Sequence, residues 1–140
     1  KTHLAFAAFN TLLRQGVNGI AVTVPDMLDE LRSRSTDDRE IAEKVRLLKN
    51  AELLVLDDLG AEKDTEWVRE RLFVILNARY AELKPTIITS NDRLEDLQRR
   101  PGWGAIVNRI LGRSVIVLME GQSYRLLQAK ERLERRRKTA

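Results

Sequence analysis

The apolar positions along the chain change period several times, and each change marks an element. Leu4, Ala5, Ala8 and Leu12 recur at helical spacing, which predicts an amino-terminal helix stopping near Gly16. Ile20 to Val24 then reads as a short buried strand, and Pro25-Asp26 suits the start of a helix carrying Met27, Leu28 and Leu31. The polar stretch from Ser33 to Asp38 breaks that helix before another around Glu40 to Leu48. Leu53-Leu54-Val55-Leu56-Asp57 is a second strand, followed by a Gly60 to Asp64 loop. Asp64 or Thr65 can cap a long helix whose faces are marked by Val68, Leu72, Ile75, Leu76 and Arg79, with Pro85 just beyond its end. Thr86 to Thr89 is the third strand. A short helix near Leu94 to Gln98, a turn at Pro101 to Gly104, a helix around Ala105 to Leu111 and a fourth strand at Ser114 to Met119 complete the pattern. Strands alternating with helices predict an α/β fold with a parallel, doubly wound sheet. With no internal repeat and no dividing linker, one domain is expected.

Composition narrows the chemistry. With 140 residues, 43% hydrophobic and 33% charged, the chain can bury a real core. No apolar run approaches the roughly 18 to 20 residues of a membrane span, and no signal segment is visible, so no membrane partner and a cytoplasmic location are expected. The lack of cysteine removes disulfides, thiol catalysis and cysteine-bound zinc, and the single histidine, His3, leaves Mg²⁺ held by oxygens as the expected metal. The net charge of +4 is concentrated at the carboxyl end, where Lys130, Arg132, Arg135, Arg136, Arg137 and Lys138 face only Glu131 and Glu134. Two readings stand side by side for this stretch: a solvated helix end, or a loose tail that contacts phosphates. No aromatic residue interleaves with these charges, so base stacking is not signalled there.

Candidate chemistry begins at Asp57-Asp58, two carboxylates closing a buried strand. In an open parallel sheet, ligands lie beyond the carboxyl ends of the strands, where paired acids can hold Mg²⁺ and orient water, as in the Walker B element of nucleotide hydrolases; capping of the next segment is the alternative. Lys1-Thr2 at the head of a helix matches the end of a phosphate-binding loop, although the loop's glycines are not in the sequence. Thr89-Ser90-Asn91 ends the third strand and places a polar side chain beside the acids, to position water or simply to turn the chain. Arg109, Arg113 and Arg125 offer planar guanidinium forks suited to phosphate.

Taken together, Lys1 to Ala5, the block LLVLDDLGAEKDTEWVRERLFVILNARY from Leu53 to Tyr80, PTIITSN from Pro85 to Asn91 and GQSYR from Gly121 to Arg125 resemble the bacterial DnaC/DnaI helicase loaders. These are AAA+ ATPases of the P-loop class, close to the IstB transposition helpers. The resemblance implies an AAA+ core over residues 1–128 and a basic tail over 129–140. It implies ATP and Mg²⁺ as ligands, with Lys1 as the Walker A lysine, Thr2 and Asp57 as metal ligands, Asp58 as the catalytic carboxylate, Asn91 as sensor 1 and Arg125 as sensor 2. Arg109 corresponds to the arginine finger that acts on a neighbouring subunit's site, with Arg113 in reserve, so the active form would be a homo-oligomer. The implied partners are a DnaB-type replicative helicase and single-stranded DNA, and the implied function is ATP-dependent loading of that helicase. An IstB-like transposition helper and a non-catalytic DNA-binding or assembly module are the alternatives. Against the family pattern, the first strand, the loop glycines and a helicase-docking region are missing, so the chain is expected to be part of a longer protein and to bind ATP poorly as written.

Overall fold

The computed structural model describes residues 1–33, 37–121 and 124–138. Three strands, β1 (Gly19–Thr23), β2 (Leu53–Leu59) and β3 (Thr86–Ser90), form a parallel sheet in the order β1-β2-β3. Helices α1 (Thr2–Arg14), α2 (Val24–Ser33), α3 (Asp38–Asn50), α4 (Glu66–Ala81), α5 (Leu94–Arg99), α6 (Gly104–Leu111) and α7 (Tyr124–Lys138) complete the described elements. The α/β architecture expected from the sequence, a parallel sheet flanked by helices, is the one observed.

The run Leu53 to Leu56 is buried throughout because β2 is the middle strand and both its faces are covered. Side chains of a strand alternate between faces. Leu53 and Val55 therefore meet Ala5 and Phe9 of α1, while Leu54 and Leu56 join the larger core with Val24, Leu28, Leu72, Ile75 and Trp103. α1 stops where Gly16, at φ 91°, takes the left-handed conformation, and the Val17 N–H turns back to the Leu12 carbonyl. Thr65 caps α4 by accepting from the Val68 N–H, one of the two caps expected there, and Val68, Leu72, Ile75 and Leu76 are buried at helical spacing.

Arg79, on the same buried face of α4, is only 1% exposed. Its guanidinium donates to the carbonyls of Leu48 (3.0 Å), Lys49 (3.2 Å), Ala51 (2.7 Å) and Pro85 (2.6 Å), and to Thr86 Oγ1 (2.9 Å). The carbonyls at the end of α3 carry the negative end of the helix dipole, so a cation suits that position. Burial lowers the Arg79 pKa to about 10, which still leaves the side chain charged at neutral pH.

The expected fourth strand, Ser114 to Met119, does not form. These residues have no regular structure, and Val115, Val117 and Leu118 are exposed. A helix makes its hydrogen bonds within itself, but a strand exists only where a neighbouring edge accepts it. The segment pairs with neither β1 nor β3, so its apolar composition alone does not make it a strand. The expected break at Ser33 to Asp38 lies partly outside the described residues, as do Gln122 and Ser123 of the GQSYR motif. The basic carboxyl-terminal stretch lies in α7, which runs through residue 128 without interruption.

Candidate functional site

The site is built on an irregularity at the end of β2. Leu56 pairs with Ile88 and Leu59 with Ser90, so Asp57 and Asp58 together face the single residue Thr89. Such a bulge bends the strand and re-aims its side chains. The Thr89 hydroxyl joins both acids, donating to Asp57 Oδ1 at 2.5 Å and accepting the Asp58 N–H at 3.0 Å. Asp58 has φ 59°, a left-handed conformation that aspartate tolerates better than most residues. The consequence is a division between the acids: Asp57 is 2% exposed, whereas Asp58 is half-buried and faces the strand ends.

Asn91 follows β3 and stands next to Asp58. Its amide nitrogen donates to Asp58 Oδ1 at 3.3 Å, and its amide oxygen accepts from Lys1 Nζ at 2.6 Å. An amide oriented this way matches both neighbours, an acceptor-only carboxylate and a donor-only ammonium. A continuous hydrogen-bonded path therefore runs Lys1, Asn91, Asp58, Thr89, Asp57, joining residues 90 positions apart at the carboxyl ends of β2 and β3. Thr2 is the first residue of α1 and half-buried, so the helix amino terminus and the Lys1 ammonium lie at the same end. That combination favours an anion.

The donor set fits a magnesium nucleotide. Two carboxylates and a hydroxyl are hard oxygen donors, and Mg²⁺ commonly takes one or two carboxylates with phosphate and water completing its shell.

Arg109 is not part of this group. It lies on α6, where Nε donates to Asn77 Oδ1 at 2.7 Å and the guanidinium lies 5.3 Å from the Tyr80 ring centre and 6.0 Å from that of Phe73. Arg113 sits 5.1 Å from the same Tyr80 ring. Both line a groove of about 660 Å³ that also touches Ile87 and Ile88 of β3. Arg125 is in α7, and its side chain lies outside the described residues.

Behind the acids, the sequence pointed to the Thr89-Ser90-Asn91 strand end but not to Glu62, Asp92 or Arg100. Thr89 was readable as a polar residue in a buried strand, though its double role depends on the bulge. Glu62 accepts the Gly60 N–H at 2.9 Å, and burial raises its carboxyl pKa despite backbone hydrogen bonds and the nearby Arg100, which act in the opposite direction. Arg100 and Asp92 form an ion pair at 2.6 Å beside that turn.

Comparison with known proteins identifies the family. The family model described as IstB-like ATP binding protein matches residues 1–132. The replicative helicase loader DnaC of Escherichia coli K12 is 28% identical over 129 residues, covering 89% of this chain and 51% of DnaC, so the chain spans about half the length of that relative. A crystal structure of the DnaC helicase loader superposes with a TM-score of 0.71 at 30% identity, covering 85% of this chain and 71% of the other. The replication initiator DnaA bound to AMPPCP and single-stranded DNA gives a TM-score of 0.72 at 26% identity, covering 96% of this chain and 41% of DnaA. The chain belongs to the IstB-like ATP-binding family, the AAA+ family that includes the DnaC helicase loaders.

Proposed function

We propose that this chain is the ATPase core of a helicase loader, coupling ATP binding and hydrolysis to placement of a DnaB-type replicative helicase on single-stranded DNA. The observation that carries the reading is the path from Lys1 through Asn91 and Asp58 to Thr89 and Asp57, which gathers a cation, an amide and two acids at one end of the sheet. The names of the similar proteins support the choice of reaction and partner.

In this reading Lys1 would bind the terminal phosphates, and Thr2 and Asp57 would hold Mg²⁺. The ion, when bound, supplies positive charge that stabilises the phosphate oxygens. Asp58 receives a proton from the attacking water, which Asn91 orients by hydrogen bonding. The Lys1–Asn91 contact links phosphate binding to this pair. Arg109 acts on a neighbouring copy's site, which makes the working form a homo-oligomer, and Arg125 contacts the nucleotide of its own chain.

Asp58→Asn should reduce turnover at least about 100-fold while leaving ATP affinity within about threefold, because it removes the proton acceptor and keeps the shape. Steady-state hydrolysis and equilibrium binding by the full-length protein measure the two quantities. Undiminished turnover would remove Asp58 from its role. The family description favours a second reading, an IstB-like transposition helper. Stimulation of hydrolysis by duplex rather than single-stranded DNA would select it.

A further inference from the structure

The turn behind Asp58 is held in a shape that needs outside support. Asp58 at φ 59° and Gly60 at φ 95° flank Leu59, and a Cβ placed on Gly60 would fall 2.6 Å from Asp92 Oδ2. Left-handed backbone at a residue with a side chain is unfavourable, so the contacts around it decide whether it persists. Thr89 and Ser90 grip the turn from β3, the Ser90 hydroxyl donating to the Leu59 carbonyl at 2.6 Å. Arg100 grips it from the far side. Its Nη1 donates to the Gly60 carbonyl at 3.2 Å and its Nη2 to Asp92 Oδ2 at 2.6 Å. Asp92 is the residue after Asn91, and its N–H donates to Ser90 Oγ at 3.1 Å. The guanidinium also lies 5.6 Å from the ring centre of Trp103, a fully buried side chain that anchors it to the core.

We propose that Arg100 is a positioning residue for ATP hydrolysis: its two-pronged bridge from Gly60 to Asp92 fixes the Asp58–Asn91 pair without touching either residue. This rests on the ATPase reading given above. The planar fork of guanidinium serves two oxygens on separate segments at a fixed angle, which the single ammonium of lysine does not reproduce. Small displacements of groups that align a reaction lower its rate far more than they lower substrate affinity.

The test compares full-length wild type, Arg100→Ala and Arg100→Lys for steady-state ATP hydrolysis, affinity for a fluorescent ATP analogue and thermal midpoint. In Arg100→Ala, kcat should fall about tenfold or more, with KM and analogue affinity within about twofold. Arg100→Lys should recover the thermal midpoint but not kcat. Wild-type kcat in Arg100→Ala, or affinity and kcat lost in parallel, would overturn the proposal. So would kcat and midpoint moving together in Arg100→Lys, which is the signature of a merely structural role. A wild type without turnover would defeat the ATPase reading itself, and the positioning role with it; an active wild type matched by Arg100→Ala would defeat the inference alone.

Discussion

At Thr89 one hydroxyl supports two acids, and its loss should be felt in both stability and chemistry. Thr89→Val keeps the shape but leaves a buried Asp57 oxygen and the Asp58 N–H without their partner. Unsatisfied groups of this kind cost about 1 to 3 kcal/mol each, so urea unfolding should show a loss of about 2 kcal/mol or more. A change below about 0.5 kcal/mol would mean that water replaces the hydroxyl at little cost. Glu62 tests the same turn through pH. Burial raises its carboxyl above the ordinary value of 4.5, helped by Asp64 and opposed by backbone hydrogen bonds and Arg100. The folded protein therefore holds that proton more tightly than the unfolded chain. The resulting stabilisation is complete below 4.5 and is lost as pH rises through the raised folded value. Against that background, Glu62→Gln should gain in thermal midpoint relative to wild type as pH is raised from about 4 to 7. A difference independent of pH would contradict the assignment. What was legible at this scale followed from residue type and place: Asp57, Asp58 and Asn91 end strands, and Lys1 heads a helix. Glu62, Asp92 and Arg100 carried no such signal: Glu62 and Asp92 are paired within a few residues of themselves but only in the folded shape of their loops, and Arg100 reaches the Gly60 carbonyl 40 positions away.

Among the elements, helices α1 to α6 and the three strands follow the hydrophobic pattern closely, whereas α7 (Tyr124–Lys138) was not among the expected elements. The Thr65 cap, the apolar face of α4 and the stop at Gly16 each rest on local chemistry that a single stretch of sequence contains. Ser114 to Met119 shows where local reasoning ends. The segment has the composition of a strand, yet strand formation needs a partner edge that no reading of six residues can supply. Arg79 marks a second limit, since a charged residue on the core face of α4 looks like an interruption until its carbonyl partners are known. It ties α3, α4 and the start of β3 together through five hydrogen bonds. Arg79→Met should therefore destabilise the fold by about 3 kcal/mol or more in urea unfolding, with carbonyls of α3 left unsatisfied. A loss under about 1 kcal/mol would show that those carbonyls find other partners.

For the whole molecule, the proposed function depends on surfaces at some remove from the acids. Arg109 is held on α4 by Asn77, Phe73 and Tyr80, apart from the acids of its own chain. No described helix is long and apolar enough to cross a membrane. The basic residues of α7 remain a candidate for phosphate contact. Deleting residues after Ala129 should weaken DNA binding and flatten its dependence on salt, since fewer counterions would be released. An unchanged slope would return that surface to solvent.

The proposed ATP site is shared between copies of the chain, and complementation between two inactive variants reads out that sharing. DNA-stimulated ATP hydrolysis should be measured for full-length wild type, Asp57→Ala and Arg109→Ala, each alone and with the two variants mixed. Each variant should lose turnover and the mixture should recover part of it, because an intact acid pair in one subunit can meet an intact arginine from the next. Full activity in either variant alone, or no recovery on mixing, would contradict the shared site.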